Sequence, residues 1–122
     1  MKKQALLLVV VFLLSLLVVS AAEDGCIYYF HGVDCEECQD TNTFIDDLKS
    51  QYPNLQVESY EVYQSRGNSK LLNEYFDSYK VKEDSRGLPV VFVEGSYYIG
   101  KESIHNLAEG YIKVNPGKEC PS

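Results

Sequence analysis

Cys35 and Cys38 are separated by two residues, Glu36 and Glu37, and this spacing has a clear chemical meaning. Two thiols three residues apart on a helix can close a disulfide within one turn and open it again. In thiol–disulfide exchange one thiolate attacks a substrate disulfide, and a second thiol then releases the product. The spacing therefore predicts a redox-active dithiol with Cys35 and Cys38 as its catalytic residues.

The neighbouring elements suit such a site. The aromatic run at 26–30 predicts a β-strand that leads into the pair. Apolar residues then recur at helical spacing as far as Tyr52, and Pro53 follows, so we predict an amphipathic helix of about 16 residues that starts at the pair. Unpaired N–H groups and the dipole at a helix start stabilise a thiolate. We therefore expect Cys35 to be the nucleophile and Cys38 the resolving thiol.

The rest of the chain alternates between strand and helix patterns. The predicted elements are a strand at 55–63, a polar break at 64–69, a helix at 71–79, two short strands at 90–93 and 97–99 and a helix at 104–112. The order is β-α-β-α-β-β-α, in which the first two strands must be parallel and the last two form a hairpin. This order predicts an α/β fold with a central four-stranded mixed sheet and helices on both faces.

The N-terminus has the pattern of a targeting segment. Lysines at positions 2 and 3 precede an apolar stretch at 5–19, and small residues follow at Ser20 and Ala22. This pattern predicts a secretory signal peptide over residues 1–22 and a single domain over residues 23–122. We therefore expect an exported protein in a periplasmic, extracellular or other extracytoplasmic compartment.

The alternative is an uncleaved membrane anchor over residues 5–22, although the apolar run is shorter than the roughly 20 residues of a typical membrane-spanning helix.

The charge and cysteine content of the chain limit the kinds of partner that we expect it to bind. The formal charge is −7, and it becomes −9 without residues 1–22, which hold two lysines and no acid. Nucleic acid is therefore excluded as an expected partner. All four cysteines lie in the predicted domain, and an exported chain sits where disulfides persist. We expect a monomer that needs no cofactor and no metal.

The strand that ends at Phe30, the C-x-x-C at the following helix, the Leu88–Pro89 pair before a strand and Gly100 after the return strand resemble the thioredoxin superfamily. The resemblance covers residues 26–114 and is to its small, glutaredoxin-sized exported members. It implies a thiol–disulfide oxidoreductase that acts on protein substrates with disulfides or thiols. It also implies that Pro89 is a cis-proline facing the disulfide, and that the Leu88 backbone pairs with an extended substrate.

Glu36 and Glu37 bear on the direction of exchange. At roughly 6 Å each carboxylate disfavours the Cys35 thiolate by about 0.7 kcal/mol in water, and the helix start offers roughly 0.3–1 kcal/mol the other way. The two effects nearly cancel, so we expect a pKa that is not strongly depressed, which favours reductase or isomerase work. A reductase would need a donor, and the resemblance suggests a membrane thiol carrier. The alternative is that both acids only stabilise the first turn of the helix.

The chain differs from thioredoxin itself at Tyr29, which takes the position of a buried acid on the first strand. The usual proton acceptor for Cys38 is therefore missing. His31 could substitute, or an acid of the pair could act through water, but the favoured interpretation of His31 is a partly exposed histidine with no catalytic role. His105 is predicted to lie on the surface, far from the pair.

Cys26 and Cys120 are predicted to meet at the end of the sheet opposite the pair, because the last helix runs back towards the start of the first strand. We expect a structural disulfide, with two free thiols or a second, electron-relaying redox pair as alternatives. Two other functions remain open. Cys35 and Cys38 with Cys26 or His31 could ligate a metal, or the fold could serve as a binding module with a static disulfide.

Overall fold

The computed structural model describes residues 2–15 and 24–122. Its first helix, α1, spans Lys2–Ser15, and the side chains of residues 2–13 are exposed. No helix in the described part of the chain is both long and apolar enough to cross a membrane. The predicted cleavage site after Ala22 lies outside the described residues, so the signal peptide stays a prediction.

The remaining residues form an α/β fold with a four-stranded mixed sheet, as predicted. The elements are β1 (Cys26–His31), α2 (Glu36–Gln51), β2 (Gln56–Glu61), α3 (Arg66–Ser78), a 3₁₀ turn (Glu83–Ser85), β3 (Val90–Val93), β4 (Ser96–Ile99) and α4 (Lys101–Val114).

The strands are arranged in the order β2-β1-β3-β4. β1 and β2 are parallel, while β3 is antiparallel to both β1 and β4. In this register His31 is opposite Glu61, Phe30 is opposite Val90, and Val90 is opposite Ile99. The ends of β1, β2 and β4 and the start of β3 therefore lie together, and we call this the Cys35 end of the sheet.

One face of the sheet packs against α2 and α4. β1 and β3 contribute every second residue to this core, as expected for strands buried on both faces. Its fully or nearly buried members are Ile27, Tyr29, Ile45, Leu48, Leu55, Val91, Val93, Ile104, Ala108 and Ile112. The first helix of the domain is thus fixed to the sheet through Ile45 and Leu48, about two and three turns beyond the cysteine pair.

The opposite face packs against α3 and is rich in aromatic rings. Phe30 and Phe92 meet edge to face with their centroids 5.7 Å apart, and Phe76 and Tyr79 of the α3 region contact Phe92 at 5.8 Å and 5.0 Å. Phe30, Phe76 and Phe92 are buried. Helices on both faces of the sheet, as predicted, therefore bury both of its surfaces.

The structure corrects the predicted start of α3. The polar segment 64–69 was predicted as a break, but α3 already begins at Arg66. Ser65 caps the helix, since its hydroxyl accepts a hydrogen bond from the Asn68 N–H at 3.1 Å. A side-chain cap of this kind compensates for the missing apolar residues in the first turn. Helix periodicity became visible only where α3 meets the sheet, from Leu71 onward.

Candidate active site

Cys35 and Cys38 are joined in a disulfide, with their Cα atoms 5.1 Å apart. Cys35 is the N-cap of α2, and its sulfur accepts a hydrogen bond from the Cys38 N–H at 3.2 Å. Cys35 is partly exposed, whereas Cys38 is fully buried. The predicted helix start is therefore confirmed, and a partner can reach the Cys35 sulfur more readily than the Cys38 sulfur.

A tight turn presents Cys35 at the end of β1. The Cys35 N–H donates to the carbonyl of Gly32 at 3.3 Å. The ring of Tyr63 lies against Gly32, so closely that a Cβ at residue 32 would be 2.2 Å from its Cε2 atom. Only glycine allows this approach without displacing the ring. Tyr63 was not among the predicted site residues, and the available signal in the sequence was Gly32, just before the pair.

A groove of about 640 Å³ runs beside the cysteine pair, between the first turns of α2 and α4. Its polar lining is mostly acidic, and Lys101, its one lysine, is in a salt bridge with Asp40. The lining residues are Glu36, Glu37, Asp40, Ile99, Gly100, Lys101, Glu102 and Ser103. Glu36 and Glu37 are exposed there in the first turn of α2. The sequence pattern had indicated these two acids but not the groove.

Tyr29 lies directly beneath the second cysteine. Its buried hydroxyl donates to the Asn42 Oδ1 at 2.6 Å and is 3.4 Å from the carbonyl oxygen of Cys38. Burial, and to a smaller degree the charge of Asp46, raises the pKa of Tyr29 well above its ordinary value. The phenol therefore stays protonated at neutral pH and acts here as a hydrogen-bond donor.

His31 stacks on Tyr29, with the ring centroids 5.1 Å apart. The imidazole is partly buried, and this burial lowers the pKa of His31 below 6.5 despite the opposing charge of Glu61. At neutral pH the ring is therefore uncharged and can accept a proton. His31 is therefore next to Tyr29, whose hydroxyl lies near the Cys38 carbonyl.

His105 does not lie free on the surface, as the sequence had suggested. It is partly buried against α2, stacking on Phe44 with centroids 4.3 Å apart, and its Nε2 atom is 3.3 Å from the Thr41 hydroxyl. Thr41 is fully buried one turn beyond Cys38. The prediction was wrong because α4 packs side by side with α2 on the same sheet face, which turns His105 towards that helix.

The Leu88–Pro89 pair also lies at the Cys35 end of the sheet. Pro89 directly precedes β3, and antiparallel pairing with β1 sets it beside His31. The Leu88–Pro89 peptide bond is cis, as the resemblance implied. The Pro89 side chain is fully buried, and its carbonyl accepts from the Gly100 N–H at 2.8 Å. Strand pairing thus brings together two segments that lie about fifty residues apart in the sequence.

The second disulfide joins Cys26 to Cys120 across a sequence separation of 94 residues. Cys26 is buried at the start of β1, the opposite end from the turn that presents Cys35. The predicted pairing is therefore present in the structure. Five residue steps along β1 span about 16 Å, so the two disulfides are too far apart for direct exchange, and the arrangement favours a structural role over an electron relay.

Within residues 2–15 and 24–122, no group of three or more His, Cys, Asp or Glu side chains is arranged to hold a metal ion. Comparison of the chain with models of known protein families gives no match, and comparison with curated proteins gives none either. The case for a function therefore rests on the residues and their geometry.

Proposed function

We propose that the protein is an exported thiol–disulfide oxidoreductase of the thioredoxin-like type, acting on proteins through Cys35 and Cys38. One observation carries the proposal: a disulfide at the first turn of α2 joins a partly exposed cysteine, Cys35, to a fully buried one, Cys38. This asymmetry suits exchange, in which an accessible sulfur meets the partner and a shielded one closes the cycle. The sheet and the helix positions are compatible with the family resemblance.

In the reducing direction the cycle starts from the dithiol. The Cys35 thiolate attacks one sulfur of a client disulfide, forming a Cys35–client disulfide and releasing the first client thiolate, which takes a proton from water. Cys38 then loses its proton and attacks the Cys35 sulfur, forming the Cys35–Cys38 bond and releasing the second client thiolate. The client gains two electrons and two protons, and the pair loses the same. The reverse steps oxidise a client dithiol.

Repeated reduction requires a donor that returns two electrons to the pair. A dithiol of lower reduction potential supplies them by the same exchange, and a membrane thiol carrier is the donor class that the resemblance suggests. Glu36 and Glu37 lie next to Cys35, and their negative charges disfavour its thiolate, whereas the start of α2 stabilises it. This balance favours reductase or isomerase activity over strong oxidation.

We propose that His31, rather than Tyr29, accepts the proton that Cys38 loses. The phenol of Tyr29, whose pKa is raised, stays protonated at neutral pH and cannot serve as a base, whereas the lowered pKa of His31 keeps its imidazole unprotonated and free to accept a proton. Tyr29 instead holds the backbone at Cys38 through its hydroxyl. In this assignment the client lies extended along Leu88 and Pro89, at the same end of the sheet.

Trapping of mixed disulfides tests the proposal. The Cys38→Ser variant can form the Cys35–client bond but cannot resolve it, so it should accumulate covalent complexes that dithiothreitol releases. Cys35→Ser is the matched control and should trap nothing, while Cys26→Ser combined with Cys120→Ser should leave insulin-disulfide reduction by the wild-type pair in place. Absence of both trapped complexes and insulin reduction would instead indicate a static binding module.

A further inference from the structure

Tyr63 is an exposed aromatic residue next to the turn that presents Cys35. The residue is 61% exposed although one side of its ring is pressed against Gly32. Val33, the next residue in the turn, is 45% exposed. Tyr63 contacts Gly32, and Val33 follows Gly32 in the same turn, so we call these two exposed apolar residues the aromatic shoulder. Large apolar side chains exposed beside a reactive group are typical of contact surfaces.

The aromatic shoulder is held in place by hydrogen bonds on both sides of Tyr63. The N–H of Val62, which is buried, donates to the His31 carbonyl at 2.9 Å. The N–H groups of Tyr63 and Gln64 both donate to the Glu61 carboxylate. These bonds fix the backbone on both sides of Tyr63, so the segment loses little backbone entropy when a partner covers it. The shoulder is therefore suited to binding.

The strand order places Tyr63 on one side of Cys35 and the acidic groove on the other. Tyr63 follows β2 at one edge of the sheet, while Gly100 and Glu102 follow β4 at the opposite edge. Four adjacent strands span about 14 Å, which is the length of about four residues of extended chain. A client segment that crosses this end therefore reaches both features within a few residues of its cysteine.

The groove side of this end of the molecule is mostly acidic. Residues 24–48 contain no Lys or Arg, and Glu36, Glu37 and Glu102 line the groove with exposed carboxylates. Lys101 is neutralised by its salt bridge to Asp40. A client segment with basic side chains complements this surface, whereas an acidic one is repelled.

We propose that Tyr63 is a substrate-contact residue and that the preferred clients carry an apolar or aromatic side chain on one side of the reacting cysteine and a Lys or Arg on the other. The proposal rests on the thiol–disulfide exchange proposed above and specifies its client class. The apolar side chain covers the aromatic shoulder, and the basic one faces Glu102 across the groove. The chemical step is unchanged: the Cys35–client bond forms as the client's own disulfide breaks.

Four disulfide-bonded peptides test the assignment. They differ only on the two sides of one cysteine, with Phe or Ser on one side and Lys or Glu on the other, and bis(2-hydroxyethyl) disulfide serves as a substrate without side chains. Dithiothreitol regenerates the dithiol, and its own rate is subtracted. For the wild-type protein we expect kcat/KM to be highest for the Phe and Lys peptide.

Variants of the protein then test which residue is responsible for each preference. Tyr63→Ser should reduce the Phe-over-Ser preference by about three- to tenfold, the range expected for one aromatic contact. Its rate on the small disulfide should be unchanged. Tyr97→Ser, at an exposed tyrosine on β4, is the matched control and should keep the preference. If Tyr63→Ser loses the small-disulfide rate, Tyr63→Gln, whose longer side chain still covers Gly32, takes its place with the same expected result.

Glu102→Gln should reduce the Lys-over-Glu preference, and high salt should do the same for the wild type, because exposed charges are screened. Glu119→Gln, on the exposed tail, is its control. An unchanged Phe-over-Ser ratio in Tyr63→Ser with a normal small-disulfide rate overturns this inference and leaves the proposed function standing. A wild-type protein inactive on every substrate overturns both.

Discussion

At the scale of single residues, Tyr29 shows how one hydroxyl links the sheet to α2. Its phenol is a donor to Asn42 and lies within reach of the Cys38 carbonyl. Tyr29→Phe keeps the ring and its stack on His31 but removes these contacts. We expect the free energy of unfolding to fall by about 1 kcal/mol.

Urea unfolding of both proteins measures this difference. Asn42 is exposed, so water can replace the phenol at its oxygen, and the loss should stay small. The control is Tyr97→Phe, whose hydroxyl has no hydrogen bond in the described residues and should matter little. A Tyr29→Phe protein as stable as the wild type would show that the hydroxyl contacts contribute nothing.

The two histidines predict how stability depends on pH. Burial lowers the pKa of His31 and of His105 below 6.5 in the folded protein. The unfolded chain therefore binds more protons as pH falls through 6.5, and the stability present above that pH is lost progressively as pH falls towards the folded pKa values.

Denaturant unfolding at several pH values between 7.5 and about 5 isolates this effect, because that interval contains the titration of histidine. In His31→Phe, which keeps an aromatic ring on Tyr29, the decrease in stability should be shallower than in the wild type. Equal slopes in both proteins would contradict the lowered pKa.

Gly32 is predicted to be intolerant of a side chain. In Gly32→Ala the new Cβ would overlap the Tyr63 ring at 2.2 Å, so the exposed ring must swing away from the turn. If Tyr63 contacts clients, Gly32→Ala should lower peptide kcat/KM while the small-disulfide rate changes less. Gly67→Ala, where a Cβ meets nothing closer than 3.9 Å, is the control.

At the scale of elements, α2 and α3 begin with different N-cap residues. Cys35 caps α2 with the sulfur that we propose to react, while Ser65 caps α3 with a hydroxyl. A cap contributes stability because it satisfies N–H groups that have no partner within the helix. Reduction of the pair leaves Cys35 at the same N-cap, where its thiolate would be stabilised by those N–H groups.

Ser65→Ala should therefore destabilise the protein by about 1 kcal/mol without changing the rate of exchange at Cys35. Thermal or urea unfolding measures the first effect, and the small-disulfide assay measures the second. Ser50→Ala, at an exposed position inside α2, is the control and should be nearly neutral. Loss of exchange in Ser65→Ala would mean that α3 and the redox site are coupled.

At the scale of the whole molecule, we expect the two disulfides to have separate roles. The Cys26–Cys120 bond closes a loop of 94 residues and ties the tail to the first strand, whereas the Cys35–Cys38 bond spans only three residues. Constraint of the unfolded chain grows with loop length, so the first bond should stabilise the fold far more than the second.

The double variant Cys26→Ser, Cys120→Ser should lose about 2–5 kcal/mol of unfolding free energy and keep exchange activity while folded. The double variant Cys35→Ser, Cys38→Ser should show the opposite pattern, with near-normal stability and no exchange. Calorimetry or urea unfolding together with insulin reduction distinguishes them. Loss of exchange in a folded Cys26→Ser, Cys120→Ser protein would revive the relay interpretation.

Local sequence patterns were sufficient to predict the α/β class, the start of α2 at the cysteine pair and the strand at 90–93. Each depends on interactions between near neighbours: helical spacing, β-branched runs and turn residues. Boundaries defined by a side-chain cap, such as Ser65 before α3, were missed because the apolar pattern begins later than the helix does.

The C-x-x-C spacing by itself determined which atoms can do the chemistry, because a disulfide between residues three apart depends only on local helix geometry. Only the tertiary structure decided what surrounds those sulfurs. Three contacts show this: Tyr29 lies near Cys38, Tyr63 lies on Gly32, and His105 lies against Thr41. The two residues of each contact are between 9 and 64 positions apart in the sequence. Such contacts depend on how strands pair and helices pack, which no short stretch of sequence specifies.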